Sequence, residues 1–491
     1  MEVSRRAVLK GSLAALFAFQ AVTQAQAKSA SVGDPDLHLL SRLSWGVLPE
    51  DLERLKAVGQ EAYLNEQLNP ETLDDPEADT RMARHPILSM DRRTIYGLQN
   101  GNYRAYKSLV IGMIDRAVHS KRQLQERMVE FWTDHFNIPT DFDNVPDIVV
   151  WHAQVRKHAL GKFRDLLFAS AKAPAMLYYL DNASSTAEAP NENYARELLE
   201  LHTVGVDGGY SEADVKDVAK AFTGWKIHNA TRTGFYFDDY HHDASEKHVL
   251  GHTLAADRGI EDGLQVLSIL ASHPSTAQFV CRKLCVRFVR DDPSKSLVDS
   301  LATVWQETDG DIKAVLSELF LSEEFIASAG LKFRRPLEFF VGLTRATGTE
   351  IYEWWNLEDT LQALGQVPYD WHPPDGYPDV AGAWMNTNGL LSRWNVAMYL
   401  THGAYSDGDA GWGSHTELRQ RIPDVATAEE LLAEVSKQVF GTVLAKEALE
   451  PFLEYLTDGA GGLEPVTPHL LSRKLGSLYG LMLASPQYQW R

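Results

Sequence analysis

Between Asn191 and Gly205 the chain concentrates amide, carboxyl, guanidinium and imidazole groups: Asn191, Glu192, Asn193, Arg196, Glu197, Glu200 and His202, interleaved with Leu198, Leu199 and Leu201. Ionisable groups are costly to bury, so a helix that mixes them with leucine marks either a site or an organised polar core. Glu197 and Glu200, about 5–6 Å apart as helix neighbours, could hold one raised and one ordinary pKa, with Arg196 or Lys247 biasing the pair. Paired carboxylates of that kind act on glycosidic or ester bonds. The same pair could equally bind arginines from neighbouring helices. At 100° per residue, Asn193, Arg196 and Glu200 lie on Glu197's side of the helix, whereas Tyr194, Leu198, Leu199 and Leu201 take the other. His202 falls between Leu198 and Leu199, on the face the apolar pattern buries.

A second histidine behaves alike. His135 falls among Leu124, Met128 and Phe131, while Glu126, Glu130 and Asp134 form a stripe with His119 and Gln123 that is read as a solvated face. A buried imidazole needs a partner for each ring nitrogen, so His135 and His202 could share one, or share a metal. The loop Asp238 to His248 offers His242, Asp243 and Lys247. A divalent metal held by His135, His202 and His242, with Asp243 beside them, is therefore one candidate chemistry, although the sequence has no HExxH or CxxC motif. A third group, Tyr369, Trp371, Tyr377, Trp384 and Trp394 among Pro368, Pro373, Pro374 and Pro378, could stack on a sugar polymer or simply wrap the helical body.

The elements that must position these residues read as helices. Short ones are expected at His38–Leu43, Pro49–Val58 and Gln60–Leu68, with a helical pattern from Tyr103 to Phe136 and helices at Asp147–His158 and Phe163–Ala171. Ser211 to Asp214 has the form of a capping box before Val215, Val218, Ala219 and Phe222. The segment Gly234–Gly251 breaks the habit and reads as short strand or ordered loop, and Gln366–Asn388 is a Pro- and aromatic-rich loop. All-α is the resulting class: a large multi-helix body with a minor strand insert. It is read as a single helical domain over residues 28–491, with sub-domains near 36–180, 181–350 and 351–491. Cys281 and Cys285, at i and i+4 of one helix, read as two buried thiols.

Ser4-Arg5-Arg6-Ala7-Val8-Leu9-Lys10 resembles a twin-arginine export motif. An apolar run from Leu13 to Val22 and a small-residue cleavage site at Ala25-Gln26-Ala27 come after it, so residues 1–27 read as an export signal. The expected destination is the periplasm or beyond, with the twin-arginine translocase as a transient partner and no membrane span after cleavage. That route carries folded cargo, which raises the expectation of a bound metal or redox group. The 491 residues carry a net charge of −20. Such a surface repels nucleic acid and anionic lipid.

Several motifs in register resemble the bacterial family catalogued as domain of unknown function 1800. They are Leu39-Leu40-Ser41-Arg42-Leu43-Ser44-Trp45-Gly46, Phe131-Trp132-Thr133-Asp134-His135-Phe136, the Asn191–Gly205 run, and Ala221-Phe222-Thr223-Gly224-Trp225. Further on come His242-Asp243 with Lys247, Asp309-Gly310-Asp311, Ser322-Glu323-Glu324-Phe325, and Leu364-Gly365-Gln366 leading to Trp384. The resemblance implies an exported, largely helical protein and attaches no activity. It singles out Trp132, His135, Asn191, Glu192, Asn193, Arg196, Glu197, Glu200, His202, Trp225, His242, Asp243 and Lys247. This chain has Thr133 where the family commonly has a histidine, and Glu130 sits at a position the family does not fix, so Glu130 is set outside the site.

Three functional classes are compatible with these residues. The first is a hydrolase-like enzyme in which Glu197 or Glu200 is the acid/base and the histidines orient substrate or hold a metal. The second is a non-enzymatic envelope protein with an internal ion-pair network and a surface for an extracytoplasmic polymer or small molecule. The third is a redox protein loaded before export.

Overall fold

Apolar residues at three- and four-residue spacing, closed by side-chain caps, make this chain helical almost throughout. The computed structural model describes residues 33–141, 143–228, 230–351, 354–402, 414–415 and 418–491; the export signal read at residues 1–27 lies outside them. Strands among the described residues occur only as short antiparallel pairs, and the class is all-α. No helix among the described residues is long and apolar enough to cross a membrane.

The chain forms two compact units, neither continuous in sequence. One comprises the described residues of 33–60, 326–365 and 380–491. Its helices Thr387–His402 and Pro468–Ala484 pack along each other, and a set of buried arginines ties its ends. Arg42 donates to the carbonyls of Ser328 and Arg491, both at 2.7 Å, and Arg491 pairs with Glu338 at 2.7 Å.

The other unit, residues 61–325 and 366–379, holds every candidate site residue. Its relevant elements are α1 (Arg92–Gly97), α2 (Gly101–His119), α3 (Gln123–His135), α4 (Val145–His158), α5 (Phe163–Ala171), α6 (Pro174–Tyr179), α7 (Glu192–Glu197) and α8 (Glu212–Ala221). Two hairpins come next in the chain, β1 (Trp225–His228) with β2 (Gly234–Phe237) and β3 (Lys247–Val249) with β4 (His252–Leu254). The helices α9 (Glu261–Ser272) and α10 (Pro274–Phe288) complete the set. The long helical pattern from Tyr103 is two helices, α2 and α3, separated at Ser120. The capping box is formed as read: Ser211 accepts from Asp214 N–H while the Asp214 carboxylate accepts from Ser211 N–H, at 3.3 and 2.8 Å. Its core centres on α3, where Trp132 packs against Phe131, Phe136 and Phe163 and donates its indole N–H to the Ala159 carbonyl at 2.9 Å. Cys281 and Cys285 are free and buried on α10.

One expectation needs correction and another needs narrower bounds. The stripe Glu126, Glu130 and Asp134 is not a solvated face: Glu126 and Glu130 are buried, and each meets an arginine from another helix. Arg156 grips Glu126 with both terminal nitrogens, and Arg287 reaches Glu130 at 2.7 Å. Charge on one helix looked solvent-facing because the compensating cations lie 30 and 157 residues away in sequence. The aromatic loop is a wrap from 366 to 379. Asn137 donates to the carbonyls of Trp371 and Pro373 at 2.7 Å each, Tyr369 bonds His152 at 2.7 Å, and Gly376 sits so close to α3 that a Cβ there would fall 2.1 Å from the Asp134 carbonyl oxygen. Trp384 and Trp394 belong to the other unit.

Candidate active site

Asn191 starts α7 by accepting the Tyr194 N–H at 3.1 Å, an ordinary Asx cap. Beyond Glu197 the α-helix gives way to a π turn over Leu198–His202. Such turns widen the helix by one residue and recur at functional sites. Gly205 closes it at φ +82, its N–H bonded to the Leu199 carbonyl at 3.0 Å, and a Cβ there would meet the Phe279 ring at 2.8 Å. The turn keeps His202 buried with Leu198 and Leu199, as the wheel required, but leaves Leu201 partly exposed.

It also frees a backbone carbonyl inside the protein. His135 Nε2 lies 3.0 Å from the His202 carbonyl oxygen, so the proton sits on Nε2 and Nδ1 is the lone-pair nitrogen. Around His135 stand Trp132, Phe136, Phe163, Phe279 and the His202 ring, with centroids 4.5 to 6.3 Å away. Burial holds both imidazoles neutral, pushing His135 well below the usual histidine range and His202 down to about 3, and the nearby Lys283 ammonium acts in the same direction.

His242 and Lys247 form a separate buried cluster on Asp262, a residue that no local motif singled out. Lys247, with no exposed surface, donates to the carbonyls of Asp243 and Ser245 at 2.6 and 2.7 Å and to the Asp262 carboxylate at 2.9 Å. His242 Nε2 lies 3.3 Å from the same carboxylate, and its Nδ1 lies 2.8 Å from the Thr223 carbonyl. Asp243 accepts the Ser245 N–H at 2.9 Å. These groups lock the β3 loop onto the start of α9, and Lys247 is spent there and does not bias the glutamates.

The joint metal set is therefore not assembled. His135 and His202 face each other in an aromatic box, His242 has its own partners, and among the described residues no three His, Cys, Asp or Glu side chains are grouped to hold a metal ion. Two imidazole nitrogens fall short of the three protein ligands a catalytic zinc takes.

The glutamates have diverged. Glu200 accepts the Tyr210 hydroxyl at 2.6 Å and lies 3.6 Å from Arg196, whose guanidinium grips Glu212 through two bonds of 2.9 Å. Glu197, one turn away and half-buried, forms no hydrogen bond or ion pair with any described residue. Burial raises its carboxyl above the usual range, and the charges of Glu200 and Asp375 add to this against the opposing pull of Arg196. Asn193 is exposed beside it.

Asp375 comes from the wrap, held by the Trp371 indole N–H at 2.9 Å. Its charge is felt by Glu197, by Tyr179 and by Lys283. Tyr179 donates to the His372 carbonyl at 2.6 Å and is pushed up to about 12 by burial and by Glu197 and Asp375.

Lys283, on α10, is the other residue sequence reasoning passed over. It makes no hydrogen bond or ion pair with a described residue, its ammonium lies 5.6 Å from the Phe279 ring centre, and burial brings it down to about 8 despite Asp134, Asp379 and Asp375 around it. Asp134 is pushed up to about 7 by burial, with Asp379 reinforcing the rise and Arg287 opposing it. Arg287 organises this side, 3.6 Å from Asp134 and 2.5 Å from Asp379 in addition to Glu130. Nothing in the local spacing of α10 marked either Lys283 or Arg287.

The arrangement defines a helical protein with one tied and one unbonded glutamate on α7 and an unpaired amine on α10. A family model described as "Protein of unknown function (DUF1800)" matches residues 38–490, and the chain belongs to that family. No curated protein and no solved structure matches the chain.

Proposed function

We propose that this chain is an exported hydrolase-like enzyme whose general acid/base is Glu197. The observation that carries the reading is the unlike fate of the two neighbouring carboxyls: Glu200 is tied by Tyr210 and Arg196, whereas Glu197 is raised, half-buried and unbonded. A raised carboxyl donates a proton to a leaving oxygen, and its conjugate base then takes one from water. Asp375 is the second carboxylate, which activates water or stabilises developing positive charge, and Lys283 supplies positive charge to an oxygen that becomes negative. Arg196, Glu200 and Asn193 position the α7 wall. His135 and His202 support the π turn from beneath and take no metal in this reading. The substrate is an extracytoplasmic polymer or small molecule with an ester or glycosidic bond.

Purified mature chain is assayed on a panel of nitrophenyl esters and nitrophenyl glycosides, with Glu197→Gln as the comparison. Turnover lost by about 100-fold or more in the variant, with helical content unchanged, supports the reading. Equal turnover in both proteins, or none by the wild type across the panel, overturns it. Export is tested separately by Arg5→Lys with Arg6→Lys, which should trap the precursor in the cytoplasm.

The second reading, a structural ion-pair network, is favoured for one part of the unit. Glu126 with Arg156 and Glu130 with Arg287 are buried pairs that hold α3 in place.

A further inference from the structure

Away from Glu197, the same unit carries a cleft of about 730 Å³, within the size range of small-molecule sites. Its walls come from α1, the start of α2, the start of α4, the end of α6 and the β1–β2 hairpin. Two tyrosines offer accessible rings there, Tyr178 at 53 % and Tyr103 at 38 % exposure. Asn100, Asn102 and Asp143 also line the cleft, and none of their side chains has a protein partner among the described residues.

The charged lining cancels. Arg92 is bound by Asp147 through both carboxylate oxygens, Arg232 lies with its guanidinium 3.7 Å from the centre of the Tyr96 ring, and the two arginines of the lining are matched in number by Asp143 and Asp147. The Tyr96 hydroxyl is in turn held 3.1 Å from Asp147 and 2.8 Å from the Asp143 carbonyl. Arg232 keeps this place at φ +55, a left-handed conformation that costs a non-glycine residue energy and is retained where the surroundings enforce it.

An occupant must therefore be uncharged, present flat apolar faces to tyrosine, and offer groups that both donate and accept hydrogen bonds to free amides and a carboxylate. A hydroxyl does both. We propose that this cleft binds a neutral oligosaccharide, stacked on Tyr178 and Tyr103 and hydrogen-bonded by Asn100, Asn102 and Asp143. The site is independent of the hydrolase reading, because it requires binding and no turnover.

The full mature chain is titrated calorimetrically with cellohexaose, chitohexaose and hexagalacturonate. Saturable binding of a neutral hexasaccharide is expected, weakened at least tenfold by Tyr178→Ala and by Asn102→Ala and retained by Tyr178→Phe, which keeps the ring. These positions are exposed or half-exposed, so the variants fold, and circular dichroism checks it. The proposal is overturned if neither neutral hexasaccharide binds, if the uronate alone binds, or if binding survives both alanine variants.

Discussion

Single residues divide here into those that hold and those that wait. Arg287 holds: it pairs with the buried Glu130 and faces Asp134 and Asp379, so Arg287→Met removes a buried cation from three carboxylates and should cost about 3–5 kcal/mol in urea unfolding. Lys283 waits, half-buried and unpaired. With its pKa down at about 8, it loses charge as pH rises through that value, so kcat/KM in the proposed reaction should decline above pH 8. Lys283→Arg should move the decline to higher pH by at least one unit, because a guanidinium stays protonated; an unmoved profile would remove Lys283 from the mechanism. Neither residue was legible from local spacing. A stripe of acids on α3 reads as solvated until α10 brings Arg287 against it, and Lys283 is one lysine among many until α10 is seen packed beside His135 and the wrap. His202, in contrast, was legible as buried from its place among leucines.

Elements decide where those residues face. The π turn after α7 shifts Leu201 outward and delivers the His202 carbonyl to His135, a departure that a wheel at 100° per residue cannot represent. Gly205 is its closure, and Gly205→Ala should destabilise the protein by about 1–3 kcal/mol, since it adds both a strained φ and a clash with Phe279. Gly376 does the same for the wrap. Its φ of +75 and its approach to the Asp134 carbonyl mean that Gly376→Ala should displace Asp375 and lower turnover far more than it lowers the melting temperature; equal losses in both measurements would make the wrap merely structural. The capping box at Ser211 illustrates the opposite case. Its donors and acceptors lie within four consecutive residues, so sequence alone located it.

At the scale of the molecule, burying neutral histidines links stability to pH. His135, His152 and His202 all have pKa values lowered by burial, with His152 and His202 near 3, whereas unfolded histidine titrates near 6.5. Below 6.5 the unfolded chain binds protons that the folded chain refuses, so stability is lost as pH falls from 6.5 toward 3. His152 and His202 should each cost about 2 kcal/mol by pH 5, and His135 adds in the same direction. Urea midpoints measured from pH 7 to 5 should fall, and His202→Gln should make the slope shallower; an unchanged slope would mean that His202 is protonated in the fold. Sequence by itself determined the helical class, the family and the burial of His135 and His202, because periodicity, ordered motifs and amphipathic faces are properties of neighbouring residues. It also separated the acid and amide face of α7 from its apolar face. Only the tertiary structure decided that Lys247 is consumed by Asp262, that His242 stands apart from the other two histidines, and that Glu197 is left unbonded within reach of the charge of Asp375. Charge compensation depends on distance in space, and the partners that settle each of these cases are set by the packing of elements far apart in the chain.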